Sequence, residues 1–235
     1  MANLDYDAKL ASKPYRFFDL LFRLLVINIL TVILSCTVIL LFPSLVACNA
    51  TIKQGNTSVN VFRQYFKNFL KYLKKSFLVG FILFILYAVT CWAIYFYSKA
   101  EIIDGTDNYL TLFLNAGFLV SFIAFFVITF LSVHLPLLII TFEKLSVREI
   151  YRTSFYITFR YLLTTLILFI LQIVIIGVFV LCIVDPRILA IWLLIGISLP
   201  VFLQVKITQT IYYKFSQVDF EKIMKRVEEE DDDEE

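Results

Sequence analysis

The chain has 235 residues, of which 60% are hydrophobic and only 17% are charged. Soluble globular domains carry about 25% charged residues, so this composition, with a mean hydropathy of +0.85, excludes a soluble enzyme or a free nucleic-acid-binding domain. The net charge of +2 hides an uneven distribution, because cations lie between the apolar stretches and the last eight residues are all Asp or Glu. We therefore expect an all-α integral membrane protein.

Five apolar segments follow one another along the chain. Each is long enough to cross about 30 Å of hydrocarbon as a helix, which takes about 20 residues, and a lipid-exposed segment must be helical to satisfy its backbone. The third segment is longer than one crossing requires and holds Pro136 near its end, so we expect a kink there, and Pro43 has the same effect at the end of the first. The sequence predicts a single transmembrane domain, residues 1–215, with five spans at about 17–42, 77–97, 109–142, 161–184 and 188–212.

Two amphipathic helices are predicted beside these spans, at about 58–76 and 146–160. In the first, rings recur at helical spacing beside a row of cations. Such a helix binds anionic lipid headgroups or docks a partner protein, and both roles remain open. Nucleic acid is not expected, because rings buried in lipid or protein are not free to stack on bases. The candidate partner or lipid surface consists of Arg63, Phe66, Lys67, Lys71, Arg148 and Arg152.

The two amphipathic helices also resemble each other. Residues 61–76 align with residues 150–165, with identical Arg63 and Arg152, Tyr72 and Tyr161. Each copy follows a proline-ended apolar segment and precedes another. This pattern indicates a candidate parallel internal repeat about an axis along the membrane normal.

Orientation is predicted from the distribution of Lys and Arg. With five crossings, fourteen of these cations fall on the side of residues 43–76, 142–160 and 213–235, and five fall on the other. The count predicts an N-terminus outside and a C-terminus in the cytoplasm. The acidic segment 216–235 is then a solvated cytoplasmic tail.

Chemistry-bearing motifs are sparse. The sequence holds one histidine, four scattered cysteines and no nucleotide-binding or hydrolase motif, so we expect no cofactor, no metal and no enzymatic activity. Polar residues inside spans are costly and are therefore candidates for function. Hydrogen bonds between helices are the alternative role for the amides and the histidine, and snorkelling is the alternative for the lysine. The candidate polar cleft consists of Asn28, Asn115, His134, Gln172, Gln204 and Lys206.

The chain resembles the YesL family of bacterial membrane proteins, over most of its 235 residues by the number and layout of its spans. The resemblance lies in Asn28 within the first span, in the FRQYFKNFLKYLKKS helix leading into the second, and in the exit of the first span at Pro43, Leu45, Ala47 and Ala50. Ser44 and Cys48 depart from the family pattern there. The resemblance implies a five-span protein of the bacterial cytoplasmic membrane, associated with carbohydrate ABC importers.

Together these features favour a non-enzymatic accessory subunit of carbohydrate ABC import. Its expected partners are the lipid bilayer and importer subunits, with a second copy of the chain also compatible. The alternative is an independent small transporter or channel for a neutral polar solute, which would use the candidate cleft.

Overall fold

A computed structural model describes residues 13–55, 60–100 and 108–218. Over these residues the regular structure is entirely helical. Within these described ranges, five segments are long and apolar enough to cross a membrane, at Phe17–Ser35, Val61–Lys99, Leu112–Thr141, Leu162–Leu181 and Trp192–Gln209. The predicted all-α, multi-pass architecture is confirmed. The helices are α1 (Lys13–Ser35), α2 (Val38–Gln54), α3 (Val61–Ala100), α4 (Asn108–Thr141), α5 (Val147–Arg160), α6 (Leu162–Val184), α7 (Pro186–Ile195) and α8 (Ser198–Val218).

The first apolar segment is a helical hairpin, so the predicted span at 17–42 is wrong. Helix α1 ends at Ser35, and α2 begins at Val38 and runs back along it. The hydroxyl of Thr37 donates to the carbonyl of Leu34 at 3.0 Å, which closes the turn. The hydroxyls of Ser35 and Ser44 lie 2.7 Å apart near this turn. Pro43 therefore lies inside α2 and does not end a span.

Contacts also hold together the two helix ends opposite the turn, the first half of α1 and the end of α2. Gly55, at φ 67°, caps α2 in a conformation that favours glycine. Its carbonyl accepts from Arg23 Nη1 at 3.3 Å. Arg23 also pairs with Asp19 at 3.1 Å, as their four-residue spacing predicts. The first half of α1 thus lies on the side where α2 ends.

Helix α3 joins the predicted amphipathic helix 58–76 and the predicted span 77–97 into one helix of 40 residues. It packs antiparallel to α4, with the Tyr87 hydroxyl 3.2 Å from that of Thr129. Where α3 crosses α2, a Cβ added at Gly80 would lie 2.7 Å from the Cβ of Phe42. The absence of a side chain at Gly80 permits this close approach.

The second amphipathic helix, α5, agrees with its predicted range of 146–160. Ser146 caps it, because the Ser146 side chain accepts from the Glu149 amide while the Glu149 side chain accepts from the Ser146 amide. The predicted spans 109–142 and 161–184 correspond to α4, which contains Pro136, and to α6.

Burial follows the same positions in both halves of the candidate repeat. The buried pairs at the predicted offset are Val61 and Ile150, Tyr65 and Ser154, Asn68 and Ile157, Phe69 and Thr158, Ser76 and Thr165. Ser76 Oγ donates to the Tyr72 carbonyl, and Thr165 Oγ1 donates to the aligned Tyr161 carbonyl. The two copies therefore share a buried face as well as a sequence pattern.

The last predicted span, 188–212, is two helices. Helix α7 ends at Ile195 and α8 begins at Ser198, so the backbone is interrupted inside the apolar segment. Residues 219–235, which hold most of the predicted acidic tail at 216–235, lie outside the described residues.

Candidate functional site

Asn28 holds the interruption between α7 and α8. Its side-chain oxygen accepts from the amides of Ile197 and Ser198 at 2.8 and 2.9 Å. Its side-chain nitrogen donates to the carbonyls of Trp192 and Leu193 at 3.1 and 2.7 Å. Asn28 is fully buried, so one amide satisfies both edges of the broken helix where water is excluded. Its role here is structural, which is the alternative that the sequence left open.

A cavity of about 640 Å³ lies beside this break. It is bounded by the hairpin, by α3 and α4, and by α6 to α8. Most of the described residues that line it are aliphatic or aromatic, and none of them is charged. The polar side chains that line it are Ser35, Asn49, Tyr87, Ser132, Gln172 and Gln204.

Gln172 and Gln204 are the two members of the predicted cleft that the structure brings together at this cavity. Gln204 also donates to the carbonyl of Val133 at 2.7 Å. The other four members do not line it: Asn28 and His134 are buried and bonded to other helices, and Asn115 and Lys206 are exposed. The prediction of one cleft shared by all six residues is therefore wrong. Lys206 Nζ lies instead 4.8 Å from the ring centroid of Phe202, on the outer surface of α8.

His134 is buried between three helices. Its Nε2 lies 2.9 Å from the Thr165 hydroxyl, and its Nδ1 lies 3.0 Å from the Tyr212 hydroxyl. Both ring nitrogens are thus engaged by α6 and α8. This arrangement confirms the alternative of a histidine hydrogen-bonded within the bundle, and it separates His134 from the cavity lining.

A second feature is the basic platform, which we define as residues 61–76 of α3, the turn 142–146 and helix α5. Three donors on α3 hold the turn. Lys71 Nζ and the Tyr72 hydroxyl both donate to Glu143 Oε1 at 2.5 Å, and Lys75 Nζ donates to the Glu143 carbonyl at 2.8 Å. Hydrogen bonds from Lys71 and Tyr72 hold the pKa of Glu143 below its ordinary value.

Two further contacts fix α5 to the bundle. The Tyr151 hydroxyl donates to the carbonyl of Val79 at 2.8 Å, and Ser154 Oγ donates to the carbonyl of Leu131 at 2.9 Å. Helix α5 therefore lies against both α3 and α4. The platform is anchored on its inner side by hydrogen bonds as well as by apolar packing.

The outer side of the platform carries the predicted surface residues. Arg63, Lys67, Lys71, Arg148 and Arg152 are exposed, and Phe66 is half-buried. Lys71 is paired with Glu143.

A groove of about 800 Å³ opens on the α3 part of this surface. The rings of Phe62 and Phe66, with centroids 4.9 Å apart, form part of its wall. Arg63 and Lys67 line it beside them, with Leu70. The groove thus combines apolar rings with cations and suits a surface that is both apolar and acidic.

Several residues that define these two features were not singled out from the sequence. Glu143 is the residue on which three donors of α3 converge, and its only sequence signal was its position just past the end of a span. Asn49 and Trp192 line the cavity, and neither belongs to a motif. A polar residue on an apolar helix was the available signal for Asn49.

The chain matches none of the protein-family models, curated proteins or solved structures with which it was compared. The resemblance to the YesL family therefore stays a prediction.

Proposed function

We propose that this chain is a non-enzymatic accessory subunit of the bacterial cytoplasmic membrane that docks a partner protein on the basic platform. The observation that carries the proposal is the groove between Phe62, Phe66 and Lys67, held in place by the anchored platform. The resemblance to the YesL family favours carbohydrate ABC importer subunits as the partner. The surface that fits the groove is an amphipathic segment with acidic residues beside apolar ones.

The hairpin supports a revised orientation for this proposal. Because α1 and α2 run antiparallel, the start of α1 lies on the side of the basic platform, toward which the second half of α8 continues past Tyr212 and its contact with His134 of α4. The start of α1 and the end of α8 then face the same side, in place of the opposite sides expected for the two termini when 17–42 was taken as one crossing. The three cations at Lys9, Lys13 and Arg16 move across, which changes the count of fourteen against five into seventeen against two. This distribution favours a cytoplasmic basic platform.

Photocrosslinking in intact membranes tests the docking function. A photoreactive amino acid is placed at Phe66, Lys67 or Arg152, and captured proteins are identified by mass spectrometry. We expect ABC importer subunits to be captured from these positions. The matched control is Leu163, which lies on α6 and is 75% exposed, so the same photoreactive group there faces lipid.

Charge reversal in the groove provides an independent test of docking. The double change R63E/K67E alters two exposed side chains that line the groove and leaves the hydrogen bonds from α3 to Glu143 unchanged. We expect it to abolish capture from Phe66 while leaving the melting temperature unchanged. Capture of lipid and of this chain alone from every position would contradict the docking function.

The alternative of a transporter or channel for a neutral polar solute draws on the cavity beside the α7–α8 break. Interrupted helices are typical of transporter binding sites. The largely apolar lining of this cavity suits a sugar less well than an apolar molecule. The cavity therefore gives little support to transport of a polar solute, and we retain docking as the principal function.

A further inference from the structure

Two buried polar atoms at the cavity lack partners. Among the described residues, Asn49 Oδ1 and Trp192 Nε1 have no hydrogen-bond partner, and both residues line the cavity. Asn49 is 2% exposed and Trp192 is 9% exposed. Buried polar groups are rarely left unpaired, because each then loses its hydration without compensation.

The two atoms have complementary requirements. The Asn49 amide nitrogen already donates to the carbonyl of Leu45 at 2.8 Å, so its oxygen remains as an acceptor. The Trp192 indole N–H is a donor only. A hydroxyl group both donates and accepts, so hydroxyl groups satisfy both atoms, whereas a hydrocarbon chain satisfies neither.

The rest of the cavity restricts the ligand further. Its 640 Å³ is within the range of sites that hold one small molecule. Its walls include Phe42, Ile176 and Phe179, and no described side chain in its lining carries a charge. A charged ligand would be desolvated there without a counter-ion. The ligand is therefore neutral and mostly apolar.

We propose that this cavity binds a neutral lipid-like alcohol, with its apolar chain against the aliphatic and aromatic walls and its hydroxyl groups on Asn49 Oδ1 and Trp192 Nε1. This site is separate from the basic platform. The proposal is independent of the docking function, because binding here requires no partner protein.

Photolabelling of the full-length protein in phosphatidylcholine nanodiscs tests the proposal. The probe is farnesol carrying a diazirine, and labelled peptides are mapped by mass spectrometry. We expect saturable labelling of cavity-lining segments of α2 and α6. Unlabelled farnesol should compete, whereas farnesene, a hydrocarbon with the same carbon skeleton and no hydroxyl group, and the charged farnesyl phosphate should not. Monoolein as a second competitor distinguishes an acyl chain from an isoprenoid chain.

Variants connect the labelling to the two atoms. Asn49→Leu removes an acceptor and Trp192→Phe removes a donor for a ligand hydroxyl group. Because farnesol has one hydroxyl group, we expect its concentration for half-maximal competition to rise about 2- to 12-fold in at least one of the two variants. The matched control is Trp92→Phe, the same change at a residue 73% exposed on α3, which should leave competition unchanged. Melting curves confirm that each variant is folded, and the comparison of farnesol with farnesene uses the unaltered chain alone.

The proposal is overturned if farnesene competes as well as farnesol, since hydroxyl recognition is then absent. Labelling confined to exposed positions such as Leu163 would also overturn it. Equal competition in Trp192→Phe, Asn49→Leu and Trp92→Phe would exclude both atoms from binding.

Discussion

Replacing Asn28 by leucine should destabilise the protein strongly, although the two side chains have similar volumes. In the Asn28→Leu variant the amides of Ile197 and Ser198 and the carbonyl of Leu193 lose their partner. The carbonyl of Trp192 keeps one donor, the amide of Gly196 at 2.7 Å. Three backbone groups are thus left unpaired in a region without water.

The magnitude follows from these three groups. Side-chain hydrogen bonds in membrane proteins average about 0.6 kcal/mol, whereas a buried group left unsatisfied costs about 1 to 3 kcal/mol. Three groups therefore give a loss of roughly 2 to 9 kcal/mol in the free energy of unfolding. The lower figure applies if α7 and α8 partly close the gap by themselves.

Reversible unfolding in mixed micelles, followed by tryptophan fluorescence, measures this loss. Hydrogen exchange at Ile197 and Ser198 should increase at the same time, because their amides lose their acceptor. The matched control is Asn115→Leu, the same change at an exposed position on α4, which should change stability by less than about 0.5 kcal/mol. Equal stability of Asn28→Leu and Asn115→Leu, with unchanged exchange, would refute the role of Asn28 in holding the break.

Two further changes test the packing of α3 against α2 and the hydrogen bonds from α3 to Glu143. Gly80→Ala should lower the free energy of unfolding by about 1 to 3 kcal/mol through overpacking against Phe42. The control is Gly177→Ala, which should be neutral or stabilising because a Cβ there meets no atom within 4 Å. Equal melting temperatures for the two variants would contradict the close crossing of α2 and α3. Because the pKa of Glu143 is lowered in the folded state, its contribution to stability is present above the ordinary glutamate pKa of 4.5 and is lost as pH falls through the lowered value. Glu143→Gln should therefore lower the free energy of unfolding by at most about 1 kcal/mol at neutral pH, since the pair of Glu143 with Lys71 is half-exposed. The stability of this variant should approach that of the unaltered chain at the acidic end of a pH series. A constant difference between the two across that series would exclude the ionised carboxylate as the cause.

The helical class and the crossing segments could be predicted because they depend on composition and length. Span 161–184 and α6 agree closely for this reason. The cap of α5 was also accessible, because Ser146 and Glu149 stand at capping-box spacing just before an amphipathic stretch.

The turn at Cys36 and Thr37 could not be placed from hydropathy. The residues on both sides of it are apolar, so a window average passes over a two-residue turn. The break at Gly196 was concealed in the same way, and its stability depends on Asn28, which is distant in sequence and supplied by another helix. Contacts of this kind are tertiary and leave no periodic signal in the chain.

The candidate polar cleft was likewise predictable only in part. The cost of burying a polar side chain in a membrane correctly identified Gln204, His134 and Asn28 as residues that need hydrogen-bond partners. It did not reveal which helix face each residue occupies, so Asn115 and Lys206 were grouped with them although both face outward. Asn49 and Trp192 became recognisable as a pair only once α2 and α7 were seen to border one cavity.

The sidedness of the basic platform tests the central claim of a cytoplasmic docking surface most directly. Single cysteines at Lys67 and Lys99, in a chain whose native cysteines are replaced by alanine, are treated with a membrane-impermeant maleimide in intact cells, and a tag at the N-terminus is probed with protease. Our account predicts labelling at Lys99, protection of Lys67 until the cells are permeabilised, and a protected N-terminal tag. Labelling of Lys67 in intact cells would contradict it.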